Sequence, residues 1–193
     1  MNVPIRKSWT QEQFFAWAEA QEARYEFDGS RPVAMTGGNN AHSLITHNIH
    51  AALHVRLRGR GCRTLGPDAG VETVRGAVRY PDALVTCTNF ALTDKVVPGV
   101  IVVFEVLSPA SGAVDRIIKV REYAAVASIR RYVIVESTSI GLTVLERQGA
   151  DESWRAAALA EDDILRMPEI SAEIPVAEFY ESVDFPDKGN TAE

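Results

Sequence analysis

Apolar and polar positions along the chain alternate between a helical and a strand-like period, and the switches between the two predict the order of elements. Thr10, with Gln13 three residues on, makes a capping-box pattern ahead of Phe14, Phe15 and Trp17, which predicts a first helix from about Thr10 to Ala23. In "YEFDGSRPVAM", Tyr25 to Met35, Asp28-Gly29 separates two short apolar-rich segments as a tight hairpin turn requires, and Glu26 lies on the first strand. "TGGNN" reads as a loop. Beyond it Ile45, Ile49, Ala52 and Leu53 lay one apolar face along a helix from Ala41 to about Arg58, which "RGRG" ends. "CRTLG", "GVETV" and "AVRYPDALVTC" are short, rich in β-formers and punctuated by glycine and proline, so they predict a bent antiparallel meander. "VVFEVLSP" reads as a buried central strand, followed by a helix from about Ala113 to Ala127 and by two strands, "RYVIVES" and "LTVLER", around a "TSIG" turn. A helix between two apolar strands is a βαβ unit inside a mixed sheet, so the predicted fold class is α/β (α+β), a mixed β-sheet flanked by helices.

The length of 193 residues suits one domain, expected over 1–182, with an acidic, disordered tail over 183–193. Hydrophobic residues at 46% and charged residues at 24% are ordinary globular usage. The apolar runs are strand-sized and "MNVPIRKSWT" holds no signal-like segment, so no membrane association and a cytoplasmic location are expected. Net charge is −6, which argues against holding nucleic acid by bulk electrostatics. The charge is unevenly spread: residues 150–193 carry 12 acids and 3 bases, which leaves 1–149 mildly basic. Cys62 and Cys87 lie 25 residues apart without a CxxC pairing, so reduced, buried thiols are expected rather than a disulfide or a zinc site.

Three acids interrupt strand-like segments: Glu26, Asp82 and Glu105. Five apolar residues surround Glu105, and an ionised carboxylate there is costly unless a metal or a cation meets it. Asp82 follows Pro81 in "RYPDALV", at the entry of a strand, where its side chain can project into a cleft. Such a pair suits a hard cation like Mg²⁺, although each acid taken singly also fits a solvated or salt-bridged strand position.

"RYPDALV", "VVFEVLSP" and "DRIIKVREYAAVASIRRYVIVE" resemble the restriction-endonuclease-like nucleases of the PD-(D/E)XK superfamily, and specifically a bacterial branch of it. The resemblance runs over nearly the whole chain, including "YEFDG", "PVAMTGG", the His42 region and "LGPDAGV". It implies a restriction-endonuclease-like fold, with Asp82 and Glu105 as metal-binding acids, Glu26 as an additional acid and possible metal ligand, and His42 near the cleft. In the superfamily pattern a lysine stands two residues after the second acid, and here that position is Leu107. The branch carries a lysine on the following helix instead, which makes Lys119 in "DRIIK" the expected catalytic lysine. The implied chemistry is metal-assisted phosphodiester hydrolysis in DNA, with Mg²⁺ (or Mn²⁺) as cofactor.

Other readings stand beside these. Lys119 also fits a surface ion pair, with Asp115 four residues before it and Glu122 three after. Tyr123, one turn beyond Lys119, is placed either to orient the lysine or to cap a packed edge. His42 equally fits a hydrogen-bonded core histidine. His47, His50 and His54 form a strip on the other side of the helix, expected to face solvent or a second subunit rather than zinc, because no HExxH pattern supports a metal. Arg56, Arg58, Arg60 and Arg63 cluster as a solvated face or as a track for a phosphate backbone. Two further functions remain open, a non-catalytic nucleic-acid-binding or protein-interaction domain on the same fold and another metal-dependent phosphoesterase. A homodimer is expected because nucleases that cut both strands often pair their sites.

Overall fold

The computed structural model describes residues 8–107, 113–150 and 152–185. Helix α1 (Gln11–Ala18) opens with the reciprocal capping box foreseen from Thr10 and Gln13. It ends earlier than Ala23 because the chain leaves through 3-10-type turns, Ala20 N–H to Trp17 O and Gln21 N–H to Ala18 O. The hairpin β1 (Tyr25–Phe27) and β2 (Pro32–Ala34) turns at Asp28, whose Oδ1 accepts from the Ser30 and Arg31 amides. Helix α2 (Asn40–Leu57) is capped by the Asn39 side chain, which accepts from the His42 amide at 3.0 Å.

After α2 come β3 (Arg63–Leu65), β4 (Val71–Glu72), a 3-10 turn, β5 (Val78–Arg79) and β6 (Ala83–Thr86). These strands do not form one meander. β4 and β5 join the hairpin in a four-stranded sheet of order β2-β1-β5-β4, while β3 and β6 enter a second sheet. The chain changes sheets across Tyr80-Pro81-Asp82, where proline cannot donate to a ladder, and this places Asp82 at the seam.

The larger sheet is completed by β7 (Val100–Val106), β8 (Arg131–Val135), β9 (Leu142–Glu146) and β10 (Arg155–Leu159), in the order β10-β9-β8-β7-β6-β3. β7 and β8 are parallel and joined by α3 (Ala113–Ala124), the expected βαβ unit; the other pairings are antiparallel. Helix α3 stops short of Ala127 because the Arg147 guanidinium donates to the carbonyls of Ala124, Val126 and Ile129, and it also packs 4.9 Å from the Trp154 ring. A small hairpin, β11 (Ile164–Met167) with β12 (Ala172–Pro175), and a 3-10 helix over Val176–Tyr180 follow.

Alternation along β7 sorts its side chains to two faces. Val102, Phe104 and Val106 face α2, the β11–β12 hairpin and Phe179; Val103 faces Tyr123 of α3, Tyr132 and Ile134. A third cluster of Phe14, Phe27 and Val78 holds α1 against the smaller sheet. Val183 and Phe185, which fall in the expected tail, pack on the main core; the rest of that expectation, residues 186–193, lies outside the described residues.

The cysteines overturn the expectation of reduced thiols: Cys62 and Cys87 form a disulfide with Cα atoms 4.0 Å apart. The register explains the pairing. β3 and β6 are antiparallel with Arg63 opposite Thr86, so the next residues outward, Cys62 and Cys87, face each other although 25 residues separate them.

Candidate active site

One step past the Ala83–Phe104 pair of the β6–β7 ladder, Asp82 stands opposite Glu105. Residues so paired across antiparallel strands point to the same face, so the two acids expected as partners lie side by side. The Val106 amide donates to Asp82 Oδ2 at 2.7 Å, fixing the aspartate against the end of β7. His42 Nε2, at the start of α2, is 3.3 Å from Asp82 Oδ1. That hydrogen bond is the main cause of a raised His42 pKa, with burial opposing it.

Lys119 reaches the strand from α3. Its Nζ lies 3.1 Å from both Glu105 oxygens and 3.5 Å from Glu26 Oε1. Position 107 is taken up by packing, as Leu107 lies against the α3-side core. Tyr123 O–H donates to Glu105 Oε1 at 2.8 Å, so the tyrosine orients the glutamate rather than the lysine. Burial pushes the Glu105 carboxyl up to about 7 against the opposing pull of Lys119, and the nearby Asp82 and Glu26 charges add to the rise.

Glu26 sits on β1 of the other sheet, one step past the Phe27–Val78 pair, and so opposite Arg79. Arg79 Nη1 donates to Glu26 Oε2 at 2.9 Å. The other side of the same guanidinium is gripped by Glu122 of α3, Nε to Oε2 at 2.6 Å and Nη2 to Oε1 at 2.8 Å. Arg79, Glu26 and Glu122 are all buried, so this clamp ties the smaller sheet to α3 and sets the distance between Glu26 and Lys119. Arg79 was not foreseen in the site, and Glu122 was foreseen only as a surface partner of Lys119. Their only sequence signals are a charge in the β-rich "AVRYP" and an acid three residues past Lys119.

All five expected site residues, Asp82, Glu105, Lys119, Glu26 and His42, line one cleft of about 830 Å³ at the seam between the sheets. It is also lined by β2 and the "TGGNN" loop, including the capping Asn39, and by Ser43 and Thr46 of α2. Thr46 Oγ1 is buried there without a hydrogen-bond partner. Among the described residues no three His, Cys, Asp or Glu side chains converge as a metal-ligand group. Two carboxylates alone nonetheless suit Mg²⁺, which keeps several waters and takes further ligands from substrate phosphate.

Of the remaining sequence candidates, His50, Arg56 and Arg60 make structural contacts. His50 is half-buried rather than on a solvent strip: its Nε2 is 2.9 Å from the Asp82 carbonyl oxygen and its Nδ1 3.4 Å from Thr64 Oγ1, which holds the Asp82 backbone to α2. His47 and His54 are exposed. Arg56 forms a two-pronged pair with Glu178, and Arg60 donates to the Ser171 carbonyl, so these arginines fasten α2 to the β12 region. Among the described residues no helix is long and apolar enough to cross a membrane.

Comparison with known proteins agrees with this fold. A crystal structure titled as a "putative nuclease belonging to DUF820" from Anabaena variabilis superposes with a TM-score of 0.69 over 90% of this chain and 98% of that one, at 10% identity, which is a likeness of fold. "Uncharacterized protein slr1290" from Synechocystis sp. is 27% identical over 176 residues, 90% of this chain and 92% of its own length. The family model described as "Uma2: Putative restriction endonuclease" matches residues 11–177, which takes in every residue of the cleft named above. This chain therefore belongs to the Uma2 family of restriction-endonuclease-like, nuclease-type proteins.

Proposed function

We propose that this protein is a divalent-metal-dependent endonuclease that hydrolyses phosphodiester bonds in DNA. The observation that carries the reading is the meeting of Asp82 from the residue before β6, Glu105 from β7 and Lys119 from α3 at one cleft. Asp82 and Glu105 would hold Mg²⁺ or Mn²⁺. The donor set fits, because two adjacent oxygen ligands are what a hard cation takes, and a buried carboxyl driven up to about 7 is relieved by a cation beside it. When bound, the ion would supply Lewis-acid polarisation of the scissile phosphate and a lowered pKa for a water.

The protein's own groups do the rest. Lys119, held between Glu26 and Glu105, presents positive charge where negative charge builds on the phosphorus oxygens. We assign Glu26 to anchoring Lys119 and Arg79 rather than to the metal, because its two oxygens are divided between two cations, whereas Glu105 shares Lys119 alone among the described residues. His42 orients Asp82, and in its protonated form adds a second positive charge facing the substrate.

The test is Mg²⁺ and Mn²⁺ titration by calorimetry, with cleavage of plasmid DNA followed on the same samples, for the wild type, Asp82→Ala and Glu105→Ala. Binding and cleavage by the wild type, both lost in each variant, are expected. Cleavage that survives Asp82→Ala, or a wild type that binds no metal, overturns the reading.

A further inference from the structure

The cleft carries a second set of groups beside its acids. On the β1–β2 hairpin Glu26 stands opposite Val33, and two residues along the Met35 amide donates to the Arg24 carbonyl. Alternate residues of a strand share a face, so Arg24, Val33 and Met35 lie on the face that carries Glu26, and all three line the cleft. Val33 is exposed and Met35 half-buried, so the hairpin presents an apolar surface there. Tyr80, half-buried, lines the same cleft, and its phenol makes no hydrogen bond among the described residues. Beside Lys119 and His42, Arg24 is the one cation among the described lining residues. It pairs with Asp68 at 3.2 Å, yet both side chains stay open to solvent.

We propose that the cleft takes an unpaired DNA strand, with Arg24 on a phosphate flanking the scissile one and a base lying against Val33, Met35 and Tyr80. The inference rests on the nuclease reading and names its substrate. One cation beside an apolar and aromatic surface suits a single strand, whose bases are free to stack on side chains. A duplex turns its bases inward and presents phosphates, so it is held chiefly by a broad basic track. This chain carries a net charge of −6, and Arg56 and Arg60, which would begin such a track, are engaged by Glu178 and the Ser171 carbonyl. Affinity for nucleic acid therefore has to come from base contacts, which an unpaired strand can make at this cleft and an intact duplex cannot. A negatively supercoiled plasmid unpairs locally and so stays a substrate.

The test is fluorescence anisotropy of the full chain with one labelled oligonucleotide, single-stranded or annealed to its complement. It is run in Ca²⁺, which fills oxygen sites without the strict octahedral geometry of Mg²⁺, and a gel of the same samples checks that the DNA is intact. The single strand should bind about tenfold tighter than the duplex. Tyr80→Leu should weaken single-strand binding about tenfold and Met35→Ala severalfold, both at an unchanged salt slope and without effect on the duplex. Arg24→Gln should reduce the slope of log K against log salt by about 0.7 for the single strand. Arg24 and Met35 open onto the cleft, so circular dichroism should show these two variants folded, and they carry the test even if Tyr80→Leu does not fold. A duplex bound as tightly as the single strand, or a single strand indifferent to both Met35→Ala and Arg24→Gln, overturns the proposal. A wild type that binds metal but prefers the duplex sinks this inference alone, whereas one that binds no metal sinks the nuclease reading itself.

Discussion

Glu105 interrupts an apolar strand, and its neighbours make its protonation state a measurable property. Its carboxyl titrates near 7 in the folded protein against an ordinary 4.5, chiefly because it is buried, so the folded state keeps a proton that the unfolded chain has released. The stability from this group is therefore fully present below about pH 4.5 and lost as pH rises through about 7. His42, also raised, acts with the same sign from 6.5 upward. Urea denaturation of the metal-free protein between pH 5 and 8 should show stability falling with pH. In Glu105→Gln only the part due to His42 should remain, and an unchanged slope would exclude Glu105 as the source. Arg79 makes a second prediction, because it separates two buried carboxylates. Arg79→Met takes the cation from Glu122 and leaves Glu26 only Lys119, and it should destabilise the protein by about 3–5 kcal/mol, read by the same denaturation. A loss under about 1 kcal/mol would mean that the clamp contributes little.

At the scale of elements, the sequence is legible where signals are local. The capping box of α1, the Asp28 turn, the apolar face of α2 and the β7–α3–β8 unit all come from neighbours within a few residues, and each is observed. Helix ends were less legible. α3 stops where Arg147, 23 residues beyond Ala124, supplies donors to its last carbonyls, and no pattern within the helix announces that partner. The start of α2 bears on the proposed site as well as on the helix, because the amide capped by Asn39 is that of His42. Asn39→Ala should cost about 1 kcal/mol of stability. It should also lower the rate of any metal-dependent cleavage more than it weakens metal binding, since His42 loses its fixed position while both carboxylates stay in place. Equal losses in rate and binding would count against that role for His42.

At the scale of the whole molecule, the cleft exists because one chain segment changes sheets at Pro81, so that acids from β1 and from the β6–β7 ladder face each other over a seam. The edge of the larger sheet far from β10 is tied by Cys62–Cys87, which closes a 25-residue loop around the seam. Closing a loop of that length stabilises by about 3 kcal/mol through the unfolded chain. Paired Cys62→Ala and Cys87→Ala replacements, or reductant, should lower Tm by about 10 °C in a calorimetric scan. A Tm indifferent to reductant would show that the bond contributes nothing to stability.

By itself the sequence determined the order and type of most elements through α3 and β9, the α/β class, and the residue types of the candidate site, because periodicity, caps and turn chemistry act over short separations. The strands after β9 escaped it: "RAAAL" shows neither alternation nor a continuous β-branched run. Tertiary structure alone decided which strands share a sheet, that Cys62 meets Cys87, that Lys119 reaches Glu105 from a helix, and that Arg79 holds Glu26 to Glu122. Each of these depends on register or on a helix docking against a sheet. Register is set by which long-range pairings bury the apolar faces together, a property of the assembled core that no short segment carries.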